Sequence, residues 1–177
     1  AQNTYGDDGE YTVTVTVADD DGGTAARTFK AVVSNVAPEL AALGDRTSAE
    51  GSLVTLQGAA FTDQGFLDTH SATVDWGDGT SEAAAVSSRT VSGSHSYGDN
   101  GAYAVKVTVI DDDGGTSVQG FTATVSNVAP ALAPLAGQSA SEGSLVSLQG
   151  AAFTDPGFLD SHTATVDWGD GTAQAAA

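Results

Sequence analysis

An all-β chain of small sandwich modules repeated in tandem is the fold class this sequence predicts, and three observations carry it. Motifs recur at a fixed shift of 92 residues, apolar residues alternate with small or polar ones over short runs, and Gly-rich turns separate those runs. No stretch carries the apolar stripe of an amphipathic helix.

The repeat sets the domain organisation. Val33-Ser34-Asn35-Val36-Ala37-Pro38 returns at 125–130, Tyr5-Gly6-Asp7 at 97–99, Asp19-Asp20-Asp21-Gly22-Gly23-Thr24 at 111–116, and Asp75-Trp76-Gly77-Asp78-Gly79-Thr80 at 167–172. Of the 85 positions that overlap at this shift, 56 are identical and no gap is needed, far more than shared composition produces. The boundaries read as the back half of one repeat at 1–38, a complete repeat at 39–130, and the front half of a third at 131–177. The two halves together lack only the counterpart of 86–92. A neighbouring copy can therefore complete each broken domain, in the same chain or in an adjacent subunit of a fibre, and both routes stay open. With no initiator Met and no leader, the chain is expected to be an excerpt of a longer protein.

Within the complete repeat the strands are expected at 53–61, 72–76, 83–86, 89–94, 102–109 and 121–125. The run at 102–109 is the clearest. Tyr103, Val105, Val107 and Val109 fall on one face and Lys106 on the other, the period of two that marks a half-buried strand. Six or seven short strands in about 90 residues, with Trp76 on the third, indicate an immunoglobulin-like sandwich in which Val105 stands where a disulfide Cys would. Tyr103 suits the tyrosine corner, its hydroxyl bonding to nearby backbone and its ring entering the core. Trp76 is assigned to the core rather than to a ligand platform.

Composition agrees. The 177 residues suit about two modules of the usual ~100 residues, and 22 Gly with only two Trp, six Phe and four Tyr leave small cores. With 23 Asp and Glu against 5 Lys and Arg, the formal charge of −18 disfavours nucleic acid and anionic membranes as partners and makes cations the natural ones. The plainer reading, an acidic surface that keeps an extracellular protein soluble, stands beside it. No Cys is present, so disulfides and thiolate metal sites are excluded. No apolar run approaches the ~20 residues of a membrane span.

The motifs also carry a resemblance. Val74-Asp75-Trp76-Gly77-Asp78-Gly79-Thr80, followed by His95-Ser96-Tyr97 and Gly101-Ala102-Tyr103-Ala104-Val105, resembles the signatures of tandem bacterial PKD (polycystic kidney disease) domain repeats. The resemblance covers all three units. It implies extracellular modules that space, adhere or bind polymer surfaces, and calcium binding in some members.

Carboxylates are the only chemically loaded groups. No nucleophile with its base, carboxylate pair in a cleft or open metal site is legible, and the three His occupy only two kinds of repeat position, so the chain reads as no enzyme. Strand order places the loops at 63–70 and 111–115 at one end of the sandwich. The turns at 50–51, 77–79 and 98–101 and the linker 127–130 lie at the other. In a head-to-tail array Asp7 and Asn35 then face Asp63, Asp68, Asp111, Asp112 and Asp113, and at the next junction Glu50, Asp78, Asp99 and Asn127 face Asp155 and Asp160. Crowded carboxylates repel unless a cation sits among them, and an all-oxygen donor set favours Ca²⁺. The alternative for Asp111-Asp112-Asp113-Gly114-Gly115 is a solvated hairpin turn. Phe66-Leu67 is expected to pack against the neighbouring domain.

The resulting expectation is a non-catalytic structural or adhesive repeat of a secreted or cell-surface bacterial protein, a rod or filament stiffened by calcium at its junctions. The alternative is a polysaccharide- or collagen-binding accessory module of a secreted hydrolase. Expected partners are neighbouring repeats and a cell-surface or matrix polymer.

Overall fold

The computed structural model describes residues 1–148 and 150–175, and among them every regular element is a strand. In chain order these are β1 (Gly9–Ala18), β2 (Thr24–Val33), β3 (Glu39–Leu40), β4 (Arg46–Ala49), β5 (Leu53–Thr62), β6 (His70–Asp75) and β7 (Ser81–Ser87). They continue with β8 (Thr90–Ser96), β9 (Gly101–Asp111), β10 (Thr116–Ser126), β11 (Ala131–Leu132), β12 (Phe153–Thr154), β13 (Thr165–Asp167) and β14 (Ala173–Ala175). The fold is all-β and sandwich-like. The chain divides into two compact units, one of Ala1–Asp45, Thr55–Ser94 and Tyr103–Thr122, the other of Arg46–Val54, His95–Ala102 and Ala123–Ala177.

In the first unit the hydrogen-bonded order is β3-β5-β8-β7-β6-β9-β10. β6 lies antiparallel between β7 and β9, with Val74 opposite both Glu82 and Val107. The alternation on β9 holds: Val105, Val107 and Val109 are buried, Tyr103 is half-buried and Lys106 points outward. Leu56, Phe61, Val74, Trp76, Val91 and Phe121 fill the same core. Each of these side chains contributes roughly 1.5–3 kcal/mol on burial.

Trp76 is fully buried, as its pattern predicts, and its indole N–H donates to Glu82 Oε1 at 2.8 Å. The turn after it needs glycine. Gly77 has φ +80°, and a Cβ there would meet the Ala104 carbonyl at 2.7 Å.

β1 and β2 form a two-stranded hairpin of the first unit, Gly9 opposite Val33 and Ala18 opposite Thr24. At Tyr11, 92 residues before Tyr103, the hydroxyl reaches the Asp7 and Asp8 carbonyls, each at 3.0 Å.

Two local expectations are corrected. The strand expected from Arg89 begins at Thr90; Ser88 and Arg89 instead form a two-residue turn with φ +49° and +58°, the double left-handed geometry that joins tightly twisted hairpins. Strands β3 and β4, absent from the sequence reading, pair with β5 and with β10; two and four residues are too few to show a period of two.

In the second unit, β10 from Ala123 to Ser126 runs parallel to β4, Ala123 opposite Arg46. Val54, Tyr97, Ala123 and Val125 are buried, and so is Glu50. β11 pairs with β12, and β13 with β14.

Candidate metal centres

The first unit gathers carboxylates around two loops. Asp63 follows β5 directly. Its Oδ1 accepts the Gly65 amide at 3.0 Å, and its Oδ2 sits 2.8 Å from His70 Nε2, both side chains being buried. The His70 ring in turn packs on Phe61, centroids 4.7 Å apart. Arg89 clamps the same loop from the β7–β8 turn, donating to the carbonyls of Asp63 and Gly65. Asp111 ends β9 opposite His70; its Oδ1 accepts the amides of Asp113 and Gly115 and its Oδ2 the Asn35 amide nitrogen at 3.0 Å.

These anchors bring Asp63, Asp68 and Asp111 together, and also Asp68, Asp112 and Asp113, with ligand oxygens of each group within 4.8 Å of one another. Asp113 further groups with Asp7 and Asp8. That approach is fixed where Leu67 N–H donates to the Gly6 carbonyl at 3.0 Å, with the Phe66 ring laid against Gly6 so closely that no side chain fits there. Phe66-Leu67 thus packs against Gly6 within the first unit.

Electrostatics follows the geometry. Burial, then the charges of Asp63, Asp7, Asp112 and Asp111, push the Asp68 carboxyl up, and its Oδ1 is buried without a partner among the described residues. Asp113 is pushed up to about 6 by desolvation, a hydrogen bond with Asp8, and the charges of Asp8, Asp7 and Asp112. Asp112 is held low by the backbone N–H of Thr69, its own amide and the Thr69 hydroxyl.

The second unit repeats half of this arrangement and adds a new member. Asp155 bonds Gly157 N–H at 3.1 Å and His162 Nε2 at 2.8 Å, and the histidine contact holds it low. Leu159 N–H donates to the Gly98 carbonyl at 3.0 Å, with Phe158 against Gly98. Glu50 closes the group: it is 1% exposed, its Oε1 accepts the Val128 amide at 2.5 Å, and its Oε2 has no partner among the described residues. Glu50, Asp155 and Asp160 lie within 4.8 Å of one another. Asp160 is pushed up by burial, then by the charges of Glu50, Asp155 and Asp99. Asp99 lines the adjoining cleft with Asp155, Asp160 and His162.

Of the sequence-derived ligands, Asp63, Asp68, Asp111, Asp112, Asp113, Glu50, Asp155 and Asp160 enter these groups, Asn35 contacts Asp111, and Asp99 stands beside Asp160. Asp78 instead closes its own turn, accepting the Thr80 amide at 3.0 Å and the Thr80 hydroxyl at 2.6 Å. Asn127 is exposed, next to the Val128 amide that Glu50 holds. Asp8 was missed, as were the histidine clamps. The clamps were readable: His70 and His162 each follow an Asp by seven residues, at the same repeat position.

The strand order and the apolar core around Trp76 define the class as an immunoglobulin-like β-sandwich module. The family follows from comparison: a model described as the PKD domain matches residues 35–125, and the chain belongs to that family. No curated protein gives a match. PKD domains are extracellular structural or adhesive modules and are generally non-catalytic. No helix among the described residues is long and apolar enough to cross a membrane.

Proposed function

We propose that this chain is a structural and adhesive repeat of a secreted or cell-surface bacterial protein, a rod or filament whose inter-repeat junctions take Ca²⁺. The observation that carries the reading is Glu50. A carboxylate 1% exposed with one oxygen unpartnered, turned toward two further carboxylates, is costly as it stands. A cation removes that cost.

The donor set fits. Oxygens on opposite sides of one Ca²⁺, each about 2.4 Å away, are about 4.8 Å apart, the span within which Glu50, Asp155 and Asp160 fall. All donors are hard oxygens, and no His or Cys belongs to the groups, which argues against zinc. Asp63, Asp68, Asp111, Asp112 and Asp113 with Asp7 and Asp8 would hold the ion at the first junction. The ion would supply charge neutralisation and a fixed link between repeats.

Calcium titrated into the 177-residue chain, with thermal melts and solution scattering against an EDTA control and a Mg²⁺ arm, tests this. The midpoint is expected to rise and the scattering profile to lose flexibility with Ca²⁺. If neither moves, the acidic loops are solvated turns.

A further inference from the structure

Four asparagines occur in the chain, and one of them is followed by a glycine. Asn3 precedes Thr4, and Asn35 and Asn127 precede Val36 and Val128, all residues whose branched Cβ crowds the adjoining amide nitrogen. The Val128 amide is in addition held by Glu50 Oε1 at 2.5 Å. Asn100 precedes Gly101, which has no Cβ and the widest backbone freedom of any residue.

The fold puts that freedom beside an acidic cleft. Asn100 is exposed, in the loop between β8 and the first residue of β9. It lines the cleft of the second unit with Asp99, Asp155, Asp160 and His162. Charge is already crowded there, since burial and then Glu50, Asp155 and Asp99 push the Asp160 carboxyl up. At the 92-residue shift the counterpart of Asn100 is Asp8, which groups with Asp7 and Asp113 in the first unit. The loop before this strand therefore accepts a carboxylate at that position.

We propose that Asn100 is a site of spontaneous deamidation, which adds a carboxylate to the second-unit cleft as the protein ages. The Gly101 main-chain nitrogen, losing its proton to solvent, attacks Asn100 Cγ. The new N–C bond closes a cyclic succinimide, and the side-chain nitrogen leaves as ammonia. Water then opens the ring at either carbonyl and leaves an aspartyl or isoaspartyl residue at position 100. The net change consumes a water and releases an ammonia, with no oxidant, metal or second protein required. Either product sets a further negative charge beside Asp99, Asp155 and Asp160. This goes beyond the structural reading and does not rest on a bound cation.

The 177-residue chain, held at neutral pH, sampled over time and digested for mass spectrometry, reads the step. The peptide containing Asn100 is expected to gain the mass of an amide-to-acid change about tenfold faster than those containing Asn35 and Asn127, a barrier lower by about 1.4 kcal/mol. Asn100→Gln is expected to remove the fast event. Asn100→Asp supplies the product charge, and its thermal midpoint in EDTA is expected about 2–4 °C below that of Asn100→Gln. Both variants alter an exposed side chain, so neither removes a core contact. An Asn100 that reacts no faster than Asn35 or Asn127 overturns the proposal. So do equal midpoints for the two variants, since the new charge would then stand apart from the cleft. Because the melts are run in EDTA, failure of the calcium reading changes neither result.

Discussion

Replacing Glu50 by Gln keeps the shape of the side chain and an oxygen for the Val128 amide, and removes one buried charge. Without a cation, wild type leaves Glu50 Oε2 unpartnered beside Asp155 and Asp160. An unsatisfied buried oxygen costs about 1–3 kcal/mol, more when charged, while weakening the Val128 bond from charged to neutral gives back about 1 kcal/mol. Glu50→Gln is therefore expected to stabilise the chain by about 1–2 kcal/mol in EDTA, and each kcal/mol moves the midpoint of a domain this size about 4–8 °C. With calcium the order reverses. At a hundred times its dissociation constant, a ligand bound only to the folded state adds about 2.7 kcal/mol, which the variant forfeits at this group. Thermal melts of both proteins in EDTA and in excess calcium give four midpoints that must cross. A variant less stable than wild type in EDTA would mean that Glu50 is satisfied as it stands, and an equal calcium increment in both would place the ion elsewhere.

Two further outcomes are expected. The carboxyls of Asp113, Asp68 and Asp160 are all pushed up from their ordinary value by burial and neighbouring carboxylates, so the folded state binds these protons more tightly than the unfolded chain. In EDTA the midpoint should rise as pH falls from 7 through about 6, where Asp113 takes its proton, with the gain complete near pH 4. The depressed carboxyls Asp112 and Asp155 act against this only below about pH 4; a midpoint that is flat or falls between pH 7 and 5 contradicts the clustering. Gly98→Ala places a Cβ 2.8 Å from Leu159 Cγ, an overpacking worth about 1–3 kcal/mol, and hydrogen exchange at the Leu159 amide should accelerate; unchanged protection would mean that the Gly98 contact does not hold that loop.

The parts of this molecule that could be read in advance are those fixed by local repetition. The β9 alternation, the burial of Trp76 and the gathering of the Asp63 and Asp111 loops follow from period and strand order. Glu50 was placed in an acidic group, but its burial was not legible: a Glu before Gly in a turn looks solvated, and what buries it is the Gly51 amide bonded to the Tyr97 carbonyl and the Val128 amide bonded to its own carboxylate. Those partners are 46 and 78 residues away in sequence. Asp78 failed in the opposite direction, since a carboxylate two residues before a Thr can close its own turn on that Thr. Arg89 offered no strand signal of its own; its positive φ is imposed by the two-residue connection between β7 and β8.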